Sequence, residues 1–295
     1  MRVFITGGTG YIGAVVAEKL LAAGHAVAGL ARSGESARKL AGMGAEAVRG
    51  DLRDGATITE AVRGADAAIH VAMERSAEAP DLDRTAVDAV LAALRHSGRP
   101  FIYTSGNFVI GHTGGRAADE STPLNPVAMV AWRPAHEQMV LRAEGMRGIV
   151  IRPSHVWGRG GGMVAEFARA AKKDGVVRYV GSGENRWPFV HVEDLADLYL
   201  LALDARSGSL YLASAGPSLE VREAARIAAA GARIESIPLE EARRTMGGLA
   251  DGLVLDQMVT SRKAMEELGW KPRFCDPRVA AEDSPRIRGD AEQDY

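Results

Sequence analysis

The stretch Val3-Phe4-Ile5-Thr6-Gly7-Gly8-Thr9-Gly10-Tyr11-Ile12-Gly13 decides how this chain is read. A short apolar run ends on Thr6, glycines follow at a G-x-x-G-x-x-G spacing, and a helical pattern opens at once with Ile12, Val15, Val16 and Leu20 on one face. The three spaced glycines serve different physical ends. Gly7 permits a tight turn, Gly10 lets backbone approach a pyrophosphate, and Gly13 lets helix and strand pack closely. The start of the helix adds unpaired N–H groups and the positive end of its dipole. Cofactor contacts are therefore expected from Gly7, Gly10, Tyr11, Ile12 and Gly13.

Outward from this loop, short apolar runs alternate with helical patterns: Val3 to Thr6, Ala26 to Leu30, Ala67 to Val71, Phe101 to Thr104 and Ile149 to Arg152. Between two of them, Val87, Val90, Leu91 and Leu94 recur at helical spacing. Such an order predicts an α/β fold, a doubly wound parallel sheet with helices on both faces. After Arg152 the rhythm loosens into the glycine-rich Gly158 to Gly162 and shorter elements, predicting a smaller C-terminal substrate domain. The expected division is 1–155 for cofactor binding, with a return at about 185–215, then 156–276, then a polar tail over 277–295.

With 295 residues, 46% hydrophobic content and a net charge of -2, the chain lacks the basic footprint of a nucleic-acid binder. No apolar run approaches the roughly 18 residues needed to cross a bilayer. A single cysteine, Cys275, fits a reducing compartment, and the expected location is cytoplasmic. The seven histidines show no H-x-x-x-H or H-x-H pair, so no metal site is expected.

The second strand ends Gly29-Leu30-Ala31-Arg32-Ser33, with Ala31 where an acidic residue would accept hydrogen bonds from a ribose 2′-hydroxyl. A guanidinium and a hydroxyl follow immediately. Arg32 and Ser33 suit a 2′-phosphate and favour NADP(H) over NAD(H), with Arg38 a weaker second candidate. Asp51 and Leu52 after the third strand, the former facing an adenine amino group, and Val71 and Ala72 at the end of the fourth, complete the expected cofactor contacts there.

The glycine loop, Gly50-Asp51-Leu52, Arg152-Pro153-Ser154-His155-Val156-Trp157-Gly158 and Phe189-Val190-His191-Val192-Glu193-Asp194-Leu195-Ala196 together resemble the extended short-chain dehydrogenase/reductases, relatives of the sugar-nucleotide epimerases and dehydratases. The resemblance continues through Leu268-Gly269-Trp270-Lys271-Pro272. It implies a Rossmann fold, a small-molecule substrate and a homodimer formed through the helix carrying positions 129 and 133. It also implies a Tyr-x-x-x-Lys pair on that helix, and none of the six tyrosines has a lysine four places on. Aligning on Glu137 puts Arg133 at the lysine position and Met129 at the tyrosine position. A thioether cannot move a proton.

What remains of the implied catalytic set is Thr104, Ser105 and Asn107 after the fifth strand, Arg133 as a permanent cation that also touches cofactor, and His155 beside Pro153, where the family passes the nicotinamide. Met129, Trp157, Arg186 and Trp187 are expected to line the substrate cleft. His136 reads as a polar surface residue, and His191 as a structural link between the domains. These features favour an NADPH-dependent reductase of a small organic substrate with a non-standard proton donor. A non-catalytic NADP(H)-sensing regulator comes next, and a nucleotide-sugar epimerase or dehydratase third.

Overall fold

A computed structural model describes residues 1–278, so most of the expected 277–295 tail lies outside the described residues. The first half alternates β1 (Arg2–Thr6), α1 (Tyr11–Ala22), β2 (Ala26–Ala31), α2 (Gly34–Met43), β3 (Glu46–Arg49), α3 (Gly55–Arg63), β4 (Ala67–His70), α4 (Ala79–Leu94) and β5 (Pro100–Thr104). A two-residue strand, β6 (Ala117–Ala118), precedes α5 (Arg133–Leu141), β7 (Arg147–Pro153), β8 (His155–Trp157), α6 (Gly162–Asp174) and β9 (Val176–Val180). Then come β10 (Arg186–Trp187), β11 (Phe189–His191), α7 (Val192–Ala202) and β12 (Ser209–Ala213).

Seven strands form one parallel sheet in the order β12-β7-β5-β4-β1-β2-β3. The order reverses between β1 and β4, whose last residues Thr6 and His70 are paired in register. A crevice opens at such a switch point, beyond the carboxyl ends of the strands. Helices cover both faces, which is why the central strands are continuously apolar rather than alternating. Val3, Ile5, Ile149, Ile151 and Tyr211 pack with α1 and α7, while Phe4, Tyr103, Val150 and Leu212 pack with α3, α4 and α5. A separate core gathers Trp157, Phe167, Val177, Trp187, Phe189 and Leu219. Among the described residues no helix is long and apolar enough to cross a membrane.

Candidate active site at the carboxyl ends of the strands

Gly7 adopts φ +74°, and a Cβ there would stand 2.6 Å from the Ala72 backbone nitrogen. On Gly13 it would stand 2.1 Å from the Gly7 carbonyl oxygen and 3.0 Å from Val71 Cγ1. The loop is thus packed from behind by the end of β4, leaving its front to a ligand. Gly10 begins α1 without a side-chain cap, and no acidic residue occupies the first turn, so nothing within the helix quenches its leading N–H groups. This cradle fits a dinucleotide pyrophosphate. Tyr11 reaches across to the C-terminal half, its hydroxyl donating to the Gly158 carbonyl at 2.8 Å, while Ile12 packs against the main core.

At the adjacent corner, Ser33 caps α2 by accepting the Ser36 N–H at 3.1 Å. Arg32 projects with its side chain 71% exposed, 3.3 Å from Glu74. A Cβ on Gly34 would lie 3.6 Å from Arg38 Nη1 and 3.9 Å from Arg49 Nη1, so two further guanidiniums flank the start of α2. Arg49 closes β3 and was not anticipated, because a lone charge at the end of an edge strand carries no sequence signal. The Asp51 carboxylate accepts from the Arg53 N–H at 3.0 Å and from Arg53 Nη1 at 3.1 Å. Leu52 shares a cavity with Ala72, Met73, Leu82 and Trp132.

The expected long helix through positions 129 and 133 is interrupted. Met129 sits in a single 3-10 turn, Ala128–Val130, and α5 begins only at Arg133. Pro134 explains the break: lacking an N–H and clashing with a preceding turn, proline is tolerated only in the first turn of a helix. Within α5, Glu137 receives Arg152 through Nε at 2.9 Å and Nη2 at 2.5 Å, both side chains being buried. Arg133 is buried as well, and its Nη1 donates to the Thr104 carbonyl at 2.9 Å.

Around the end of β5, Thr104 Oγ1 pairs with the Tyr199 hydroxyl at 2.5 Å. Asn107 Nδ2 donates to Ser154 Oγ at 2.6 Å. Gln257, which sequence reasoning passed over, holds this loop by donating to the carbonyls of Asn107 at 2.8 Å and Gly111 at 2.9 Å. Ser105 Oγ, Asn107 Oδ1, Gln257 Oε1 and His155 Nε2 are buried without a hydrogen-bond partner. Buried polar atoms are nearly always satisfied, so such a group of orphans is what a ligand-accepting site leaves open. The His155 ring stacks on Trp187 with centroids 4.4 Å apart. Burial pushes its pKa down to about 3, so the imidazole is neutral at physiological pH.

His136 departs from its expected place at the surface. It is buried, and its Nδ1 meets Asp83 Oδ2 at 2.7 Å. Asp83 also faces His70 Nε2 at 3.2 Å and the Tyr103 hydroxyl at 2.9 Å, while His70 Nδ1 lies 2.7 Å from Thr6 Oγ1. Burial alone would raise the Asp83 pKa, but the hydrogen bonds from His136 and His70 override it and hold the group ionised. The network ties β1, β4, β5, α4 and α5 together directly beneath the switch point. Asp83 was legible in principle, since it interrupts the buried stripe of α4 beside Leu82, Ala86 and Val87.

The remaining cleft candidates separate. Trp187 is only 1% exposed and donates through Nε1 to the Leu253 carbonyl at 3.0 Å, and Trp157 is buried in the same core. Both indoles therefore shape the C-terminal core instead of presenting open faces to a cleft. Arg186 is clasped by Asp256, Nε to Oδ1 at 2.8 Å and Nη2 to Oδ2 at 2.7 Å. Met129 remains at the surface, 38% exposed. His191 accepts the Glu193 N–H at the head of α7 and packs edge-on to Trp157, the structural role expected of it.

A glycine cradle at the switch point of a 3-2-1-4-5 sheet, followed by a separate C-terminal core, defines an extended short-chain dehydrogenase/reductase. The model of the NAD-dependent epimerase/dehydratase family matches residues 3–212, and the chain belongs to that family. A protein of Schizosaccharomyces pombe, itself uncharacterised, is 35% identical over 92% of this chain and 95% of its own length. The 4-hydroxy-2-methyl-3-oxo-4-farnesyl-3,4-dihydroquinoline-1-oxide ketoreductase of Stigmatella aurantiaca is 33% identical over 75% of this chain and 70% of its own. Among solved structures, UDP-glucose 4-epimerase of Thermus thermophilus in complex with NAD superposes with a TM-score of 0.78 at 24% identity, covering 96% of this chain and 98% of that one. At that identity the likeness is one of fold.

Proposed function

We propose that the protein is an NADPH-dependent reductase of a small organic carbonyl or enone. The observation that carries this reading is the pairing of an intact pyrophosphate cradle with a thioether, Met129, at the acid/base position. Transient oxidation of a sugar needs a base to take a hydroxyl proton, whereas reduction needs only a hydride and a proton that water can deliver. The ketoreductase relative points the same way.

Bound NADPH would supply the hydride, which adds to the carbonyl carbon as the C=O π pair moves to oxygen, leaving NADP⁺ and, after one proton is taken up, an alcohol. Gly7, Gly10 and Gly13 with the head of α1 would hold the pyrophosphate, and Arg32, Ser33, Arg38 and Arg49 the 2′-phosphate. Arg133, fixed against the Thr104 carbonyl, would carry the ribose and the permanent positive charge. Ser105 would donate to the substrate oxygen, a role supported by its buried, unpartnered hydroxyl. Since burial keeps His155 neutral, the proton is assigned to water or Ser105 and not to an imidazolium.

The first test is the cofactor. Arg32→Ala should weaken NADP(H) binding by roughly 1.5 to 3 kcal/mol, about ten- to a hundredfold, and leave NAD(H) unchanged in parallel fluorescence titrations. Equal losses for both cofactors would sink the assignment. Loss of the tyrosine also suits a non-catalytic NADP(H) sensor. That reading takes over if NADPH binds but no carbonyl, enone or imine is reduced.

A further inference from the structure

The loop after β5 is held from a distance. Gln257 is 1% exposed, and its side-chain nitrogen spans both ends of the loop, donating to the Asn107 carbonyl at 2.8 Å and the Gly111 carbonyl at 2.9 Å. The opposite amide orientation would set Oε1 against two carbonyl oxygens, so the two N–H bonds are the ones that face the loop. Side chains of similar size do not fit this place. An ionised glutamate would bring another acceptor to the two carbonyls, methionine has no N–H, and asparagine is one methylene short.

Gln257 is itself held by the C-terminal core. Asn185 Nδ2 donates to the Leu253 and Leu255 carbonyls at 2.9 and 3.1 Å, and Trp187 Nε1 to the Leu253 carbonyl at 3.0 Å. Arg186 clasps Asp256, and the Gln257 N–H donates to the Arg186 carbonyl at 2.9 Å. Just beyond, Met258 and Val259 pair in register with β6. Residues 253–259 therefore act as a strap that fastens the C-terminal core to the loop at the end of the parallel sheet.

The residue on which this strap bears is Ser105. Its N–H donates to the Ile151 carbonyl at 2.8 Å, anchoring one side of it to β7. Across Gly106, where a Cβ would meet nothing within 4 Å, Asn107 is pinned twice, by its Nδ2 on Ser154 Oγ and by Gln257 on its carbonyl. The chain through Ser105 thus runs between two fixed points, one on the sheet and one held by Gln257. A misplacement of about 1 Å costs on the order of a hundredfold in rate, so a side chain that never touches substrate can still govern the reaction.

Resting on the reductase reading, we propose that Gln257 is a positioning residue: it staples the loop after β5 into the shape that presents the Ser105 hydroxyl, and it acts on reduction through that hydroxyl alone.

The test is a cycle of Gln257→Met, Ser105→Ala and the double variant, with NADPH and 4-nitrobenzaldehyde as probes. Each single variant should slow single-turnover NADPH oxidation by about tenfold or more, and the double variant should stay within about threefold of Ser105→Ala. A general loosening of the fold would slow every background alike, so this coupling separates positioning from bulk structure. NADP⁺ affinity should stay within about twofold, because the glycine cradle lies on β1 and α1, while amide exchange should rise about tenfold over 105–111 and not over 7–13. Gln257→Asn, which keeps the amide and loses the reach, should give the same pattern at smaller size, and it takes over if the methionine variant does not fold. The proposal is overturned by additive losses in the cycle, by an undiminished rate in Ser105→Ala, or by unchanged exchange over 105–111. If the wild type oxidises no NADPH with this aldehyde or any other carbonyl, enone or imine, the reductase reading fails, and the exchange alone then decides the staple.

Discussion

The glycine loop and the segment from Met129 to Glu137 border the same crevice, yet they are built in opposite ways. The loop works through backbone: its shape depends on missing side chains at Gly7 and Gly13, and its ligand groups are helix N–H donors. The segment works through side chains whose partners come from far along the chain, Arg152 for Glu137, Asp83 for His136 and Thr104 for Arg133. A backbone device survives sequence change provided its glycines remain. A side-chain device can change at position 129 while the Glu137–Arg152 salt bridge, eight residues further on, still ties α5 to β7.

The largest effect is expected where the second device meets the core. Glu137→Ala leaves the buried Arg152 guanidinium without its carboxylate, and should cost about 3 to 5 kcal/mol in denaturant unfolding. A loss under about 1 kcal/mol would show that the pair is not what sets the register of α5. Gly13→Ala should act on the other device, because its Cβ meets the Gly7 carbonyl and the loop must shift. We expect dinucleotide affinity to fall at least thirtyfold, about 2 kcal/mol, for NAD(H) and NADP(H) alike. Retention of affinity would mean that the loop is not a rigid backbone cradle.

The neutral state of His155 sharpens the comparison through pH. Its folded pKa lies near 3, below the ordinary 6.5, so the unfolded chain binds the extra proton as the solution acidifies. The resulting stability is complete above about pH 6.5 and is lost as pH falls toward 3. Relative to His155→Phe, the wild type should lose about 2 kcal/mol between pH 7 and pH 5, measured by urea unfolding at each pH. Parallel curves for the two proteins would remove the neutral-imidazole assignment. The smallest effect is expected from Met129→Tyr. Position 129 lies in an exposed 3-10 turn ahead of α5, so a hydroxyl there should change stability by less than about 0.5 kcal/mol and raise NADPH turnover less than about threefold. A larger gain would show that the helical break at Pro134 does not displace the acid.

The parallel sheet and the glycine loop after its first strand follow from local patterns: apolar runs of strand length, helical spacing between them, and glycines directly after Thr6. These are short-range properties of consecutive residues, and any chain carrying them meets the same steric and hydrogen-bonding limits. The absent tyrosine was equally legible, since it needed only a search for Tyr-x-x-x-Lys. Tertiary structure alone decided which polar residues share a buried charge. Asp83 gathers His70, Tyr103 and His136 from three other elements, and Gln257 reaches back about 150 residues to hold the loop after β5. It also decided that Trp187 belongs to the C-terminal core and that Arg186 is neutralised by Asp256. Contacts between residues so distant in sequence leave no periodicity to read, because they form only where packing brings separate elements to one point in space.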